Sequence, residues 1–333
     1  MRGTPRNTSG PGSRDLIITV TLNAALDRSL TVPNFQLGHR HRASAAFTAA
    51  GGKGINVARA LKALDVPVVA TGLVGGRTGT RIVEELTGES ILNDFVRIGG
   101  ESRTSTMVVD PTGGTSTEIY EWGPQVSAEE LQLLLEKMAY HARAADVVVL
   151  AGSLPRAVDA DFYATAIRDL NRRRVVTVLD TEGEPLRLGV EAEPWLVSPN
   201  QREAESLVGQ EFHDEEDFLM ALDAVAELGA RNVLIGHGAG AFAFFREDRR
   251  AQRFEVSIPR HEPLAPAGAG DSMLAGYLAA RVGEQSLEEA LRCAVATGAA
   301  ATLAVGGGRF DARDVSRLAH DVTVRAVEPV ATR

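Results

Sequence analysis

The chain has 333 residues, 44% of them hydrophobic and 24% charged, enough apolar material for a substantial core; a wholly disordered chain is excluded. Thirty-five basic residues against 44 acidic ones give a net charge of −9, so no global field draws nucleic acid or an anionic membrane, and an anionic ligand must be held by local cations. The single cysteine, Cys293, excludes an internal disulfide and fits a reducing, cytoplasmic setting.

Residues 1–14 (MRGTPRNTSGPGSR) are rich in Pro, Gly and Ser and carry no apolar stretch, which predicts a flexible tail rather than a signal peptide. Leu16–Leu22 is a β-branched run of strand length. Gly51–Gly54 leads into a helical pattern over Ile55–Leu64, followed by a strand at Val66–Leu73 and a helix at Thr80–Leu86. Thr104–Asp110 and Thr115–Tyr120 read as two β segments joined by the turn Pro111–Gly114. From Ala128 onward helix and strand alternate, which predicts a mostly parallel sheet with helices on both faces. Segments 29–47 and 95–122 interrupt that alternation and read as a small antiparallel sheet inserted as a lid; residues 321–333 read as a C-terminal tail. The longest uncharged stretch, Cys293–Gly308, is shorter than the ~20 apolar residues a membrane span needs.

Two glycine turns carry the chemistry. Gly268-Ala269-Gly270-Asp271 precedes a helical pattern of Met273, Leu274, Tyr277, Leu278 and Val282. Small residues let backbone N–H groups converge at a helix N-terminus, which suits charge developing on a transferring phosphoryl group, and Asp271 there could take a proton from a hydroxyl. Asp271 as a simple helix cap is the competing reading. In Gly51-Gly52-Lys53-Gly54-Ile55-Asn56, the glycines permit close backbone approach, Lys53 supplies a point charge and Asn56 offers donors and an acceptor. Gly54 follows the lysine where a Walker A loop needs Ser or Thr, and no G-x-G-x-x-G follows the first strand, so a P-loop and a dinucleotide fold are both rejected.

With both signatures in this order, GGKGINVA and GAGDSMLAGYLAA, the chain resembles the PfkB (ribokinase-like) carbohydrate kinases from about Leu16 to Leu318. TLNAALD, ESRTST, TEIYEWGP, LAGSLP and SPNQREAE also fall in register. The lysine in GGKG and the TEIYEWGP segment look most like the 1-phosphofructokinase and tagatose-6-phosphate kinase branch. The resemblance implies a three-layer α/β/α domain over 15–320 with a β lid, ATP as co-substrate, Mg²⁺, a sugar-phosphate acceptor and a homodimer paired through the lid. It implies Asp271 as base, with Gly268, Ala269 and Gly270 completing the anion hole. Asp27, Gly51, Gly52 and Asn56 would hold sugar hydroxyls, with Lys53 and Arg103 anchoring the substrate's phosphate. Asn200 and Glu203 would help place Mg²⁺, the pair also reading as a helix cap with Glu203 at its third position. Gly236, Gly238 and Gly240 fall in the nucleotide loop.

Four positions depart from the family pattern: Ala24 for Pro, Ala151 for Ser, Ser198 for the lysine before Pro-Asn, and Gly236 for a hydroxyl residue. None removes the base or the anion hole. The activity implied is phosphorylation of fructose 1-phosphate to the 1,6-bisphosphate. Tagatose-6-phosphate or 6-phosphofructokinase activity, or a non-catalytic sugar-phosphate sensor, are the alternatives.

Overall fold

The computed structural model describes residues 16–156, 158–238, 240–247, 250–259 and 267–328. Strand β1 (Ile17–Thr21) is followed by β2 (Ala25–Thr31), β3 (Ala45–Gly51), α1 (Lys53–Ala63), β4 (Val68–Gly75), α2 (Gly76–Gly88), β5 (Leu92–Ile98), β6 (Arg103–Asp110) and β7 (Thr115–Tyr120). Then come α3 (Ala128–His141), β8 (Val147–Ala151), α4 (Phe162–Arg172), β9 (Val176–Asp180), α5 (Gly183–Val190), β10 (Leu196–Val197), α6 (Gln201–Val208), α7 (Glu215–Leu228) and β11 (Val233–His237). The last elements are β12 (Gly240–Glu247), β13 (Arg250–Ser257), α8 (Ala269–Val282), α9 (Leu287–Ala301), α10 (Ala312–Ala319) and β14 (Thr323–Val327).

The main sheet runs β14-β13-β12-β11-β10-β9-β8-β1-β4-β5. Its seven strands from β11 to β5 are parallel, and β12, β13 and β14 add an antiparallel flank. The uninterrupted burial of β1 (IITVT) and β8 (VVVLA) follows from this position, since an inner parallel strand is covered on both faces. Alternate side chains serve opposite cores. Ile17 and Val149 join Ile55, Leu61, Leu274 and Leu291 on one side, while Ile18 and Leu150 join Leu134, Tyr163 and Leu222 on the other. The predicted three-layer architecture is the one observed.

The lid sheet has the order β3-β2-β6-β7. Two of its pairings are antiparallel as expected, but β2 lies parallel to β6. The lid also has other limits than 29–47 and 95–122. Its first two strands reach back to Ala25 and on to Gly51, and β5 belongs to the main sheet beside β4, so the later segment enters the lid only at Arg103. Residues 321–333 are not simply a tail: Thr323–Val327 pairs with β13. That strand is only half-buried and carries Arg325 on Glu215 and Glu255, so its composition resembles a solvated terminus while its backbone completes the sheet edge. The predicted tail 1–14 lies outside the described residues, as does 329–333. Among the described residues no helix is long and apolar enough to cross a membrane.

Candidate active site

Ligand crevices in open parallel sheets form beyond the carboxyl ends of the strands. Here those ends deliver Asn23 after β1, Gly152 and Ser153 after β8, Asp180 at the end of β9 and Gly236 on β11. Both glycine turns open on the same region. Asn56 Nδ2 donates to Asp271 Oδ2 at 2.8 Å, a direct bond between residues 215 positions apart.

The turn at Gly51–Gly54 is built around a close approach. A Cβ on Gly51 would lie 1.9 Å from Asp27 Oδ2, so only glycine lets that carboxylate rest against the backbone before α1. Asp27 faces Ala49 and Ser105 across its two neighbouring strands. Burial raises its pKa to about 6, against the pull of the Arg103 and Arg59 charges. Arg103 donates from Nε to the Asn23 carbonyl at 3.2 Å and lies over the Tyr120 ring, 5.7 Å from its centroid. Asn23 Nδ2 in turn reaches Ser153 Oγ, and Arg156 lies 4.0 Å over the Trp122 ring, both contacts between lid-side segments and the main domain.

The second turn opens α8. Gly268 caps the helix in a left-handed conformation (φ +79°), with its Cβ position 2.6 Å from Gly307 Cα. Ala269, Gly270 and Asp271 form the first turn, whose amides have no acceptor within the helix; the space beside Gly270 is open. Asp271 is buried, 6% exposed. Burial and the neighbouring Asp180 charge raise its pKa to about 7, while Lys53 and the Asn56 hydrogen bond oppose the shift. A carboxyl group poised there matches its proton affinity to a general base working near neutrality.

Between the two turns stands Lys53. Its Nζ lies 2.6 Å from Asp180 Oδ1 and 2.8 Å from Glu203 Oε1. The sequence expectation set Lys53 on the substrate's phosphate. Its ammonium lies between two carboxylates beside Asp271, and Arg103 is the cation acting most strongly on Asp27. The sequence does not single out Asp180: an aspartate ending a strand before Thr-Glu-Gly reads as an ordinary turn carboxylate, and only its convergence with Lys53 gives it away. Asn200 and Glu203 do form the expected reciprocal cap, with Asn200 Oδ1 accepting from the Glu203 amide and Glu203 Oε2 accepting from the Asn200 amide. Glu203 Oε1 remains for Lys53, so the cap and a charge-bearing role share one side chain.

Gly236 sits next to this cluster, bridged to Asn200 through the strand pairing and with its Cβ position 2.8 Å from Met273 Cε. His237 pairs with Gly240 in the antiparallel β11–β12 ladder, and Gly238 is exposed. Ser198 is buried and donates its amide to the Leu179 carbonyl. It brings no charge, which leaves Lys53 as the ammonium at Asp180 and Glu203.

Residues 19–312 match the family model described as pfkB family carbohydrate kinase. The chain belongs to that family. It is 34% identical over 86% of its length to a 1-phosphofructokinase from Bacillus subtilis, 92% of which is covered. A 1-phosphofructokinase from Borreliella burgdorferi is 31% identical over 94% of the chain, with 99% of the relative covered. Among solved structures, Escherichia coli phosphofructokinase-2 in complex with substrates and products superposes with a TM-score of 0.84 at 28% identity, covering 91% of this chain and 98% of that one. This PfkB kinase is therefore a sugar phosphotransferase with ATP as co-substrate.

Proposed function

We propose that this PfkB kinase phosphorylates fructose 1-phosphate at its free primary hydroxyl, giving fructose 1,6-bisphosphate and ADP. The observation that carries the reading is the Asn56–Asp271 bond, which brings the sugar turn and the phosphate turn to one centre. Asp271 accepts the hydroxyl proton as the sugar oxygen bonds to the γ-phosphorus and the bond to the β–γ bridging oxygen breaks, its electron pair leaving with ADP. The transition state is loose, so the protein's work is alignment and charge stabilisation. Asp27, Gly51, Gly52 and Asn56 hold sugar hydroxyls, and the Gly268–Asp271 amides face the charge that builds on the phosphoryl oxygens. Lys53 belongs with that phosphoryl group, and Arg103 with the phosphate the sugar brings.

Mg²⁺ fits the residues present. Asp180 and Glu203 aim one oxygen each at a single cation, Lys53 Nζ, and Mg²⁺ needs only one or two carboxylates beside water and nucleotide phosphate. Those two, with Asn200, would hold it; when bound it neutralises phosphate charge. Gly236, Gly238 and Gly240 border the nucleotide. A homodimer through the lid is part of the proposal, supported by Ile119 and Tyr120 exposed on β7, an edge strand. A cytoplasmic location fits a kinase that draws on ATP.

The deciding experiment compares kcat/KM for fructose 1-phosphate, fructose 6-phosphate and tagatose 6-phosphate. Fructose 1-phosphate is expected to lead by about tenfold or more, the scale of one well-placed contact. A lead by either other sugar overturns the substrate assignment, and no ADP from any of them favours a silent sensor. Arg103→Ala is expected to raise KM for fructose 1-phosphate about 10- to 100-fold, the worth of a charge-assisted phosphate contact. KM for ATP should stay within about twofold.

A further inference from the structure

Among the described residues Arg59 is the one buried basic side chain, 6% exposed, and it lies on α1 three residues after Asn56. Helical spacing puts the two on one face. Its guanidinium binds three other parts of the molecule and faces Asn56 on its own helix. Nε donates to Glu89 Oε2 at 2.7 Å, just past the end of α2. Nη2 donates to the carbonyl of Ala50, on lid strand β3, at 2.8 Å. Nη1 donates to the Gly307 carbonyl at 2.8 Å and faces Asn56 Oδ1 at 3.4 Å.

Three of these contacts, those to Asn56, Gly307 and Ala50, bear on the reacting centre. An amide side chain has one accepting end and one donating end. With Arg59 beside Oδ1, Asn56 turns Nδ2 toward Asp271; the flipped amide would set donor against donor at Arg59 and oxygen against oxygen at Asp271. Gly307, whose carbonyl Arg59 holds, is wedged between the Asn56 side chain and Gly268: a Cβ on Gly307 would lie 2.5 Å from Asn56 Cγ, and a Cβ on Gly268 would lie 2.6 Å from Gly307 Cα. Ala50 precedes Gly51, against which the Asp27 carboxylate rests. Sheer burial of a guanidinium is costly, and a helix-packing role would be met by an apolar side chain.

We infer that Arg59 is a positioning residue for phosphoryl transfer: it fixes which end of Asn56 meets Asp271 and ties the lid strand at Ala50 to the Gly307 turn beneath the phosphate cradle. The inference rests on Asp271 being the base. Lid placement and base orientation thereby share one rigid, planar group, so a sugar that settles β3 also settles the Asn56–Asp271 pair.

The test compares Arg59→Met, Arg59→Lys and Glu89→Gln with the parent in kcat, both KM values, the pH dependence of kcat and thermal midpoint. Arg59→Met is expected to lower kcat about 10- to 100-fold with KM for ATP within about twofold, because alignment is lost and nucleotide contacts are not. Its acidic limb should move to higher pH, because the Asn56 hydrogen bond lowers the Asp271 pKa while Lys53 (α1), Asp180 (β9) and Glu203 (α6), the other charged groups facing Asp271, are untouched. Arg59→Lys, with one donor head in place of a fork, should fall between the two. Glu89→Gln should lower the midpoint yet keep the parental kcat and limb. Parental kcat and limb in folded Arg59→Met overturn the inference and leave a purely structural arginine. Where Arg59→Met does not fold, the same result in Arg59→Lys overturns it. Failure of the base assignment itself would show elsewhere, as retained kcat in Asp271→Asn on the parental background.

Discussion

Replacing Asp271 by Asn is expected to lower kcat by about 10²–10⁴ while sugar and nucleotide binding persist, and to stabilise the ligand-free protein above neutral pH. The first effect follows from removing the carboxylate that Asn56 of the sugar turn hydrogen-bonds at the start of α8. Asn keeps the shape and one acceptor but cannot take the hydroxyl proton. The second follows from linkage. The folded-state pKa of Asp271, about 7, lies above its ordinary 3.8, so the folded protein holds this proton more tightly than the unfolded chain. The stability gained is complete below about pH 4 and is lost as pH rises through about 7, beyond which an ionised carboxylate stays buried beside Asp180 and Glu203. The amide of the variant carries no such charge. Thermal midpoints at pH 8 should therefore be higher for the variant than for the parent, and the difference should shrink at acid pH. The parent's kcat/KM should decline as pH falls below about 7, as the free enzyme's base takes its proton. A variant that keeps most of its kcat removes Asp271 from the base role.

That pattern of lost activity with gained stability is typical of sites built for function rather than rigidity. It also explains what the sequence exposes. The glycine turns stand out because close approach and left-handed backbone exclude other residues, at Gly51 against Asp27 and at Gly268 against Gly307. Strand β1 and helices α1, α8 and α9 stand out because an inner strand is covered on both faces and these helices are buried on nearly every side, which favours β-branched, small and apolar residues. Other features depend on partners far along the chain and leave no local mark. Asp180 looks like any turn aspartate until Lys53, 127 residues away, meets it. Arg59 reads as a solvated helix arginine, and only the return of the Gly307 turn and the lid strand buries it. Strand β14 carries three exposed side chains out of five, so only its backbone pairing marks it as sheet. The parallel β2–β6 pair is equally silent, because side-chain alternation is the same for parallel and antiparallel neighbours.

Lys53→Met should produce a different signature: kcat lower by about 10²–10³, on the scale of losing one preorganised charge contact at the transferring group, together with a less stable protein at neutral pH. Burial works to strip the Lys53 proton, but the charges of Asp180, Glu203 and Asp271 outweigh it and hold its pKa above the ordinary lysine value. The sign is that of a raised base: as far as the lysine's own titration goes, its stabilising contribution is complete below the unfolded lysine value, near 10.5, and is lost only above that. Removing it leaves two carboxylates, 4% and 9% exposed, without their cation. Breaking a buried pair costs about 3–5 kcal/mol, and the 29% exposure of the Lys53 side chain puts this case at the lower end. The penalty should fade as the medium is acidified, because Glu203, whose pKa burial and Asp180 already raise, can then take a proton. It should also fade on adding Mg²⁺ without nucleotide, with a larger rise in midpoint than the parent gives, since the ammonium no longer occupies the oxygens a divalent ion would use. Steady-state kinetics separate this from the role the sequence first gave the residue. If Lys53 chiefly anchors the sugar's phosphate, KM for fructose 1-phosphate rises more than tenfold and kcat survives; if it serves the migrating phosphoryl group, kcat falls and that KM moves little.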